Sequence, residues 1–174
     1  MYPKNSATVI INGSTRANSQ TTEICELIKK SLKTADYASL EGFTTIPDEY
    51  LKGSPEIDKM GLSIYDNFIM VVPSYYVLPS PVFTNFINMF SPEDIRKTFS
   101  GKFIYLISVQ SGDNLNEIHV DSIRRYFNKI FHWNKIENCR LCTDFCMVNE
   151  SPEVRQRMLL TLIKRFDNTS DYLR

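Results

Sequence analysis

Residues 13–22 carry side chains whose types and spacing indicate phosphate binding. The segment holds one glycine, one arginine and five hydroxyl-bearing residues, and a helical pattern follows it. A helix N-terminus offers backbone N–H groups and a partial positive charge to an anion. Hydroxyls add neutral donors, and a guanidinium can pair two phosphate oxygens. We predict a site for a terminal phosphate monoester, with these residues as its ligands: Ser14, Arg16, Ser19, Gln20 and Thr21.

Other phosphate-binding loops fit this segment poorly. A dinucleotide fingerprint needs glycines at three set positions, and the segment has only Gly13. A nucleoside triphosphate loop ends in Gly-Lys-Ser/Thr, a tripeptide that the chain lacks. A low-molecular-weight phosphatase needs a nucleophilic cysteine in the loop, whereas Cys25 falls inside the predicted helix. A hydroxyl-rich turn that caps a helix without any ligand is the remaining alternative.

Two further segments end apolar runs with residues suited to a ligand. They consist of Pro73-Ser74-Tyr75-Tyr76 and Gln110-Ser111-Gly112. Two adjacent tyrosines in a proline-rich loop are suited to form an apolar wall for a planar ring. Packing of both tyrosines on the loop and the core is the alternative interpretation. The second of the two segments, taken alone, predicts only a turn.

Strand and helix patterns alternate along the whole chain and predict how these segments come together. Strands are predicted at residues 7–11, 37–40, 67–72, 103–109 and 136–141, the third of them ending at Pro73. Helices are predicted at 21–33, 82–90, 116–131 and from Ser151 onward. This order predicts one α/β domain over residues 1–174, with a five-stranded parallel sheet and helices on both faces. Ligands of such sheets bind beyond the carboxyl ends of the strands, where the three segments lie.

The bulk composition argues against several classes of partner. Lys+Arg and Asp+Glu both number 20, so no net charge attracts nucleic acid or an anionic membrane. The apolar runs are too short to span a membrane, and the first residues lack the apolar core of a signal peptide. We therefore predict a cytoplasmic protein with no nucleic-acid and no membrane partner. The basic residues of the last helix are interpreted as its solvated face: Arg155, Arg157, Lys164 and Arg165.

Three closely spaced cysteines, Cys139, Cys142 and Cys146, raise the question of a metal site. A structural zinc ion or an iron–sulfur cluster needs four ligands, and His132 is the nearest candidate for the fourth. A strand that includes Cys139 and runs to residue 141 would direct Cys139 and Cys142 to opposite faces. We predict reduced, largely buried thiols and no metal ligand.

Residues 13–22 resemble the opening motif of the NADPH-dependent FMN reductase family. The resemblance rests on Gly13-Ser14-Thr15-Arg16, Ser19 and Thr21. It implies a flavodoxin-like fold, FMN as the cofactor, NAD(P)H as co-substrate and assembly as a homodimer or homotetramer. Classical flavodoxins share the hydroxyl-rich loop but usually lack its arginine, so Arg16 favours the reductases.

The second and third segments extend this resemblance. Residues 73–76 are similar to the family's Pro-x-Tyr motif, which lines the flavin ring, and residues 110–112 correspond to a loop near its pyrimidine edge. Thr84 and Asn88 stand where the family usually has Lys and Asp. The similarity extends from about Ala7 to Phe131.

The resemblance implies an enzyme that passes a hydride from NAD(P)H through bound FMN to a small acceptor, such as a flavin, a quinone or a related electrophile. The cofactor would carry the chemistry, so no catalytic side chain is predicted. A flavodoxin-type electron carrier is one alternative, although the acidic surface usual for carriers is missing. An interaction domain that has lost the flavin is the other, since fold does not fix function.

Overall fold

The structure, a computed structural model, describes residues 7–43, 52–53, 57, 59–75, 78–110, 116–147 and 151–171. The description omits the side chains of residues 116–117, 119, 145–147 and 165–171. The strands are β1 (Thr8–Asn12), β2 (Asp36–Ser39), β3 (Asn67–Tyr75), β4 (Leu78–Pro79), β5 (Phe103–Gln110) and β6 (Arg140–Met147). The helices are α1 (Gln20–Ser31), α2 (Pro81–Asn88), α3 (Pro92–Phe99), α4 (Asn116–Trp133) and α5 (Pro152–Asp171), and a 3-10 helix (Leu62–Ile64) precedes β3.

Five parallel strands form the sheet in the order β2-β1-β3-β5-β6. The two residues of β4 pair antiparallel with the end of β3. The chain passes from β1 outward to β2 and then back across β1 to β3, so the topological switch point lies between β1 and β3. This strand order is that of flavodoxin-like folds, and the predicted five-stranded parallel sheet is confirmed.

Apolar side chains cover both faces of the sheet. Alternate residues of β1, β3 and β5 point to opposite faces, and all eight residues of β5 are buried. On one face the phenylalanines of α2, α3 and α4 pack together, with Phe83, Phe99 and Phe127 fully buried. On the other face α1 and α5 contribute residues such as Ile24 and Leu159. The predicted helices on both faces are therefore confirmed.

The third strand does not end at Pro73, contrary to the prediction. β1 pairs with β3 only as far as Asn12 and Val71. The Val71 carbonyl accepts a hydrogen bond from the N–H of Gly13, so the backbone groups of Val71 point towards β1. The backbone groups of Pro73, two residues further on, point to the same side of β3. Pro73 has no N–H, but its position lies beyond the end of β1, so no hydrogen bond of the β1–β3 pair is lost and β3 continues to Tyr75.

The last strand was predicted at residues 136–141 and instead spans Arg140–Met147. Lys135 and Asn138 have φ angles of 53° and 55°, a left-handed conformation that interrupts extended backbone. The strand therefore begins only after Asn138. Its polar Asp144, which obscured the strand pattern, accepts a hydrogen bond from the Tyr105 hydroxyl at 3.2 Å.

The helix α3 was not predicted, although its start carries a clear signal. Ser91 caps the helix, Pro92 occupies the first turn, and Asp94 completes a capping box with Ser91. The same Ser-Pro-Glu tripeptide correctly predicted the start of α5 at Ser151. None of the helices that the structure describes is long and apolar enough to cross a membrane.

Candidate functional site

The described parts of the three predicted segments lie at the carboxyl edge of the sheet. Asn12 at the end of β1 pairs with Val71, and Val71 pairs with Ile107 of β5. The N–H of Gly13 donates to the carbonyl of Val71 at 2.8 Å. From the segment after β4, the buried Ser80 donates its hydroxyl to the Gly13 carbonyl at 2.9 Å. The first and second loops are thus joined directly at the switch point.

Gly13 allows this close approach of the first loop to β3. A Cβ atom at this position would lie 2.9 Å from the Val71 carbonyl oxygen and 3.3 Å from the Phe83 ring. Both neighbours belong to the packed interior and have little room to move. A glycine is therefore required here by space rather than by backbone dihedral angles.

The buried Asn12 side chain supports the loop from the protein interior, a role that was not predicted from the sequence. Its side chain is 2% exposed; Oδ1 accepts from the N–H of Ser14, and Nδ2 donates to Thr22 Oγ1 and to the Tyr37 hydroxyl. These three distances lie between 2.9 and 3.0 Å. Burial raises the pKa of Tyr37, and the hydrogen bond from Asn12 partly offsets the rise. One amide therefore links β1, α1 and β2 around the loop.

The hydroxyls of Ser19 and Thr22 are joined by hydrogen bonds within the loop. The Thr22 hydroxyl donates its proton to the Arg16 carbonyl at 3.1 Å, so in its 3.0 Å contact with Ser19 it can only accept. Ser19 must therefore be the donor in that contact. Ser19 also caps α1 by accepting the N–H of Thr22 at 3.1 Å. Ser19 therefore caps α1 in this structure, and its predicted contact with a ligand stays a prediction.

Ser14, Arg16 and the first turn of α1 provide further donors around the loop. Ser14 accepts the N–H of Arg16 through Oγ at 3.1 Å, which leaves its proton to donate elsewhere. The N–H groups of Gln20 and Thr21 lie in the first turn of α1, where no acceptor exists within the helix. The Arg16 side chain is exposed while its backbone is held at both N–H and C=O. Hydroxyl, amide and guanidinium donors around a helix N-terminus suit an anion with several oxygens.

The C-terminal helix adds a cation that was interpreted wrongly from the sequence. Arg155 was predicted on the solvated face of α5, yet its side chain is only 16% exposed. Its Nη1 donates to Gln20 Oε1 at 2.9 Å, and its Nη2 lies 3.2 Å from Glu23 Oε2. The contact spans 135 residues along the chain, so no local pattern could have revealed it.

The second and third segments are described in part. Pro73 and Ser74 are buried, and the Ser74 hydroxyl donates to the Leu78 carbonyl at 3.3 Å. Tyr75 is 51% exposed at the end of β3, so its ring is not simply packed into the core. Gln110 is buried at the end of β5. The remaining predicted residues, Tyr76, Ser111 and Gly112, lie outside the described residues.

Thr84 has a local role in place of the lysine usual for the resembled family. Its Oγ1 donates to the Ser80 carbonyl at 3.2 Å, within the helix that carries the site-bridging Ser80. Thr84 therefore supports the first turn of α2.

The cysteines do not converge on a metal site in the part of the chain that the structure describes. Cys139 packs with the apolar residues of one sheet face and Cys142 with those of the other. Both are free thiols, as is the buried Cys25, and burial raises the pKa of Cys139 to about 12. No group of three potential metal ligands occurs among the described residues, and the side chain of Cys146 lies outside them.

Comparison with known proteins agrees with the geometry. Residues 7–143 match the model of a family described as NADPH-dependent FMN reductase. None of the curated protein sequences matches the chain.

Solved structures show a similar fold at low sequence identity. An NADH:FMN oxidoreductase in its apo form is 14% identical, with a TM-score of 0.69 over 95% of this chain and 90% of that one. An FMN-dependent NADH-azoreductase from Bacillus anthracis, in complex with FMN, is 14% identical, with a TM-score of 0.68 over 94% and 99%. An NADPH-quinone reductase from P. pentosaceus is 12% identical, with a TM-score of 0.67 over 92% and 97%.

Proposed function

The chain belongs to the NADPH-dependent FMN reductase family, and from this premise we propose that it passes a hydride from NAD(P)H through bound FMN to a small acceptor. The family is one of FMN-dependent NAD(P)H oxidoreductases. The proposal for this chain adds the location of the cofactor and the class of the acceptor, namely a flavin, a quinone or a related electrophile.

The loop at residues 13–22 is the observation that carries the proposal. Its donors fit a phosphate monoester: the Ser14 hydroxyl, the N–H groups of Gln20 and Thr21, and the Arg16 guanidinium. Asn12 holds the loop through three hydrogen bonds that do not involve a phosphate. A loop that is already ordered loses less conformational freedom when the ligand binds.

The ends of β3 and β5 supply the surroundings for the flavin ring in this proposal. The half-exposed Tyr75 offers an aromatic face, and the exposed Leu78 of β4 extends the apolar surface beside it. Gln110, at the end of β5, lies one strand further along the same edge of the sheet. We propose that Pro73, Ser74, Tyr76, Ser111 and Gly112 complete this wall.

Each part of the chain has a task that needs no catalytic acid or base. Bound FMN supplies the two-electron chemistry. The loop after β1 would anchor the phosphate, and the end of β3 would orient the ring through Tyr75. NAD(P)H and the acceptor would bind at this site in turn, which predicts ping-pong kinetics.

The proposal also covers the setting of the enzyme. We propose a single domain over residues 1–174, assembly as a homodimer or homotetramer, and action in the cytoplasm on small molecules. The balanced charge, with 20 basic and 20 acidic residues, supports a partner other than nucleic acid.

An anaerobic reduction experiment tests the proposal. Purified protein is incubated with FMN, freed of excess flavin, and titrated with NADPH and then NADH while the flavin absorption is recorded. We expect flavin bands that one or both nucleotides bleach, and a quinone that restores them.

The outcomes separate the proposed enzyme from the alternatives. Protein that takes up no FMN would exclude both the enzyme and the electron carrier. Protein that binds FMN but is bleached by neither nucleotide would favour the carrier.

A further inference from the structure

A cation from the far end of the chain lies against the first turn of α1. Arg155 belongs to α5, beyond the residues 7–143 that match the family model. The apolar residues Leu159 and Leu162 of α5 pack with Ile24 and Ile28 of α1 and hold the helix in place. Arg155 therefore occupies a defined position rather than sampling solvent.

The contact with Gln20 determines which end of its amide faces Arg155. A guanidinium has five donors and no acceptor, so Gln20 must present Oε1 to it, as the 2.9 Å hydrogen bond records. The NH2 group of the same amide is then directed away from Arg155. Gln20 is the first residue of α1, so its NH2 group is a donor at the start of the helix, beside the backbone donors of the loop.

The contact with Glu23 affects the charge at the same place. Glu23 is the acidic residue in the first turn of α1. A negative charge there competes with a bound anion for the positive end of the helix dipole. Arg155 Nη2 lies 3.2 Å from Glu23 Oε2 and balances that charge.

We propose that Arg155 is a positioning residue for the phosphate of FMN. It presents Gln20 as a donor and neutralises Glu23, and it thereby gives the site part of its preference for FMN over riboflavin, which lacks the phosphate. The inference rests on the proposed binding of FMN at the loop after β1.

Titration of the flavin-free protein with FMN and with riboflavin tests this role. Dissociation constants are measured by quenching of flavin fluorescence for the wild type, Arg155→Met, the double variant Arg155→Met/Glu23→Gln, and Arg157→Met. Arg157 lies exposed on the same helix and is the matched control. Thermal unfolding of each variant shows whether α5 remains docked.

We expect Arg155→Met to lower the FMN-to-riboflavin affinity ratio about twofold to fivefold, since a charge at a helix N-terminus has effects of this size. Adding Glu23→Gln should recover part of the ratio because no negative charge is then left unpaired. Arg157→Met should leave the ratio unchanged. A purely structural role of Arg155 would weaken both flavins equally and would not be rescued at Glu23.

An unchanged ratio, or an equal loss for the two flavins, would overturn the inference. If Arg155→Met does not fold, Arg155→Lys is decisive, because lysine keeps the charge but lacks the planar fork whose two nitrogens contact Gln20 and Glu23 separately. Its ratio should fall about twofold, and an unchanged ratio would overturn the inference. If the wild type prefers FMN and the variants show the same preference, this inference is wrong while the proposed function stands. A wild type that binds neither flavin would overturn the proposed function as well.

Discussion

Asn12 shows how one buried amide organises the loop at residues 13–22. Its carbonyl oxygen accepts from Ser14, and its NH2 group donates to Thr22 and Tyr37. Asparagine is one of the few side chains that supply an acceptor and two donors at one point. In the sequence it is only the residue that ends an apolar run, so its role could not be inferred without the contacts.

Replacing Asn12 by alanine should destabilise the protein. The change leaves the Ser14 N–H without its acceptor and removes both donations from Nδ2, so we expect a loss of about 2 kcal/mol in the free energy of unfolding. Urea denaturation followed by circular dichroism measures it. Asn128→Ala, at an exposed position of α4, is the control, and a loss at Asn12 no larger than that of the control would contradict the role.

Replacing Arg16 by alanine should weaken FMN binding about tenfold, because a hydrogen bond to a charged group is lost. Riboflavin binding should not change, since the guanidinium is assigned to the phosphate. Lys30→Ala, which removes an exposed cation from the last turn of α1, is the matched control. Unchanged FMN affinity in Arg16→Ala would show that this arginine is not a phosphate ligand.

At the scale of helices and strands, local patterns predicted the alternation of strands with helices but not every boundary of these elements. Buried strands β1, β3 and β5 were recognised because their apolar runs are continuous. The prediction that a strand ends at Pro73 was wrong. The local sequence does not show that the neighbouring strand β1 ends before it reaches Pro73. The start of β6 was mispredicted because it follows Lys135 and Asn138, which have left-handed φ angles although neither is a glycine.

The packing of α4 against α2 predicts a pH dependence. The pKa of Tyr126 is raised to about 12 from its usual value of 10.0 because its hydroxyl is desolvated in the fold. The folded protein therefore favours the neutral phenol, and this stabilisation is complete below about pH 10 and is lost as the pH rises towards 12.

Comparison of the wild type with Tyr126→Phe isolates this effect. Between about pH 8 and about pH 11, the free energy of unfolding of the wild type should fall by about 1.4 kcal/mol more than that of the variant. Urea unfolding at the two pH values measures the difference. Parallel losses in the two proteins would show that Tyr126 titrates normally in the folded state.

At the scale of the whole molecule, the site is assembled by contacts between distant parts of the chain. Ser80 reaches Gly13 across 67 residues, and Arg155 reaches Gln20 across 135. The hydroxyl-rich loop and its arginine could be recognised from the sequence because they are contiguous. Arg155 could not be, because its burial depends on how α5 packs against α1.

FMN should stabilise the whole fold if it binds the native state alone. At a free FMN concentration about 100 times the dissociation constant, the stabilisation is about 2.7 kcal/mol, which corresponds to a rise of about 5–10 °C in Tm for a domain of this size. Differential scanning calorimetry measures the rise. Riboflavin at the same concentration should raise Tm less, and equal shifts would argue against a phosphate contact.

A crystal structure of the FMN complex tests the central claim most directly. The account predicts the phosphate within hydrogen-bond distance of the Ser14 hydroxyl and the backbone N–H groups of Gln20 and Thr21, with the flavin ring beside Tyr75. A flavin bound elsewhere, or a phosphate that extends into solvent away from residues 13–22, would contradict it.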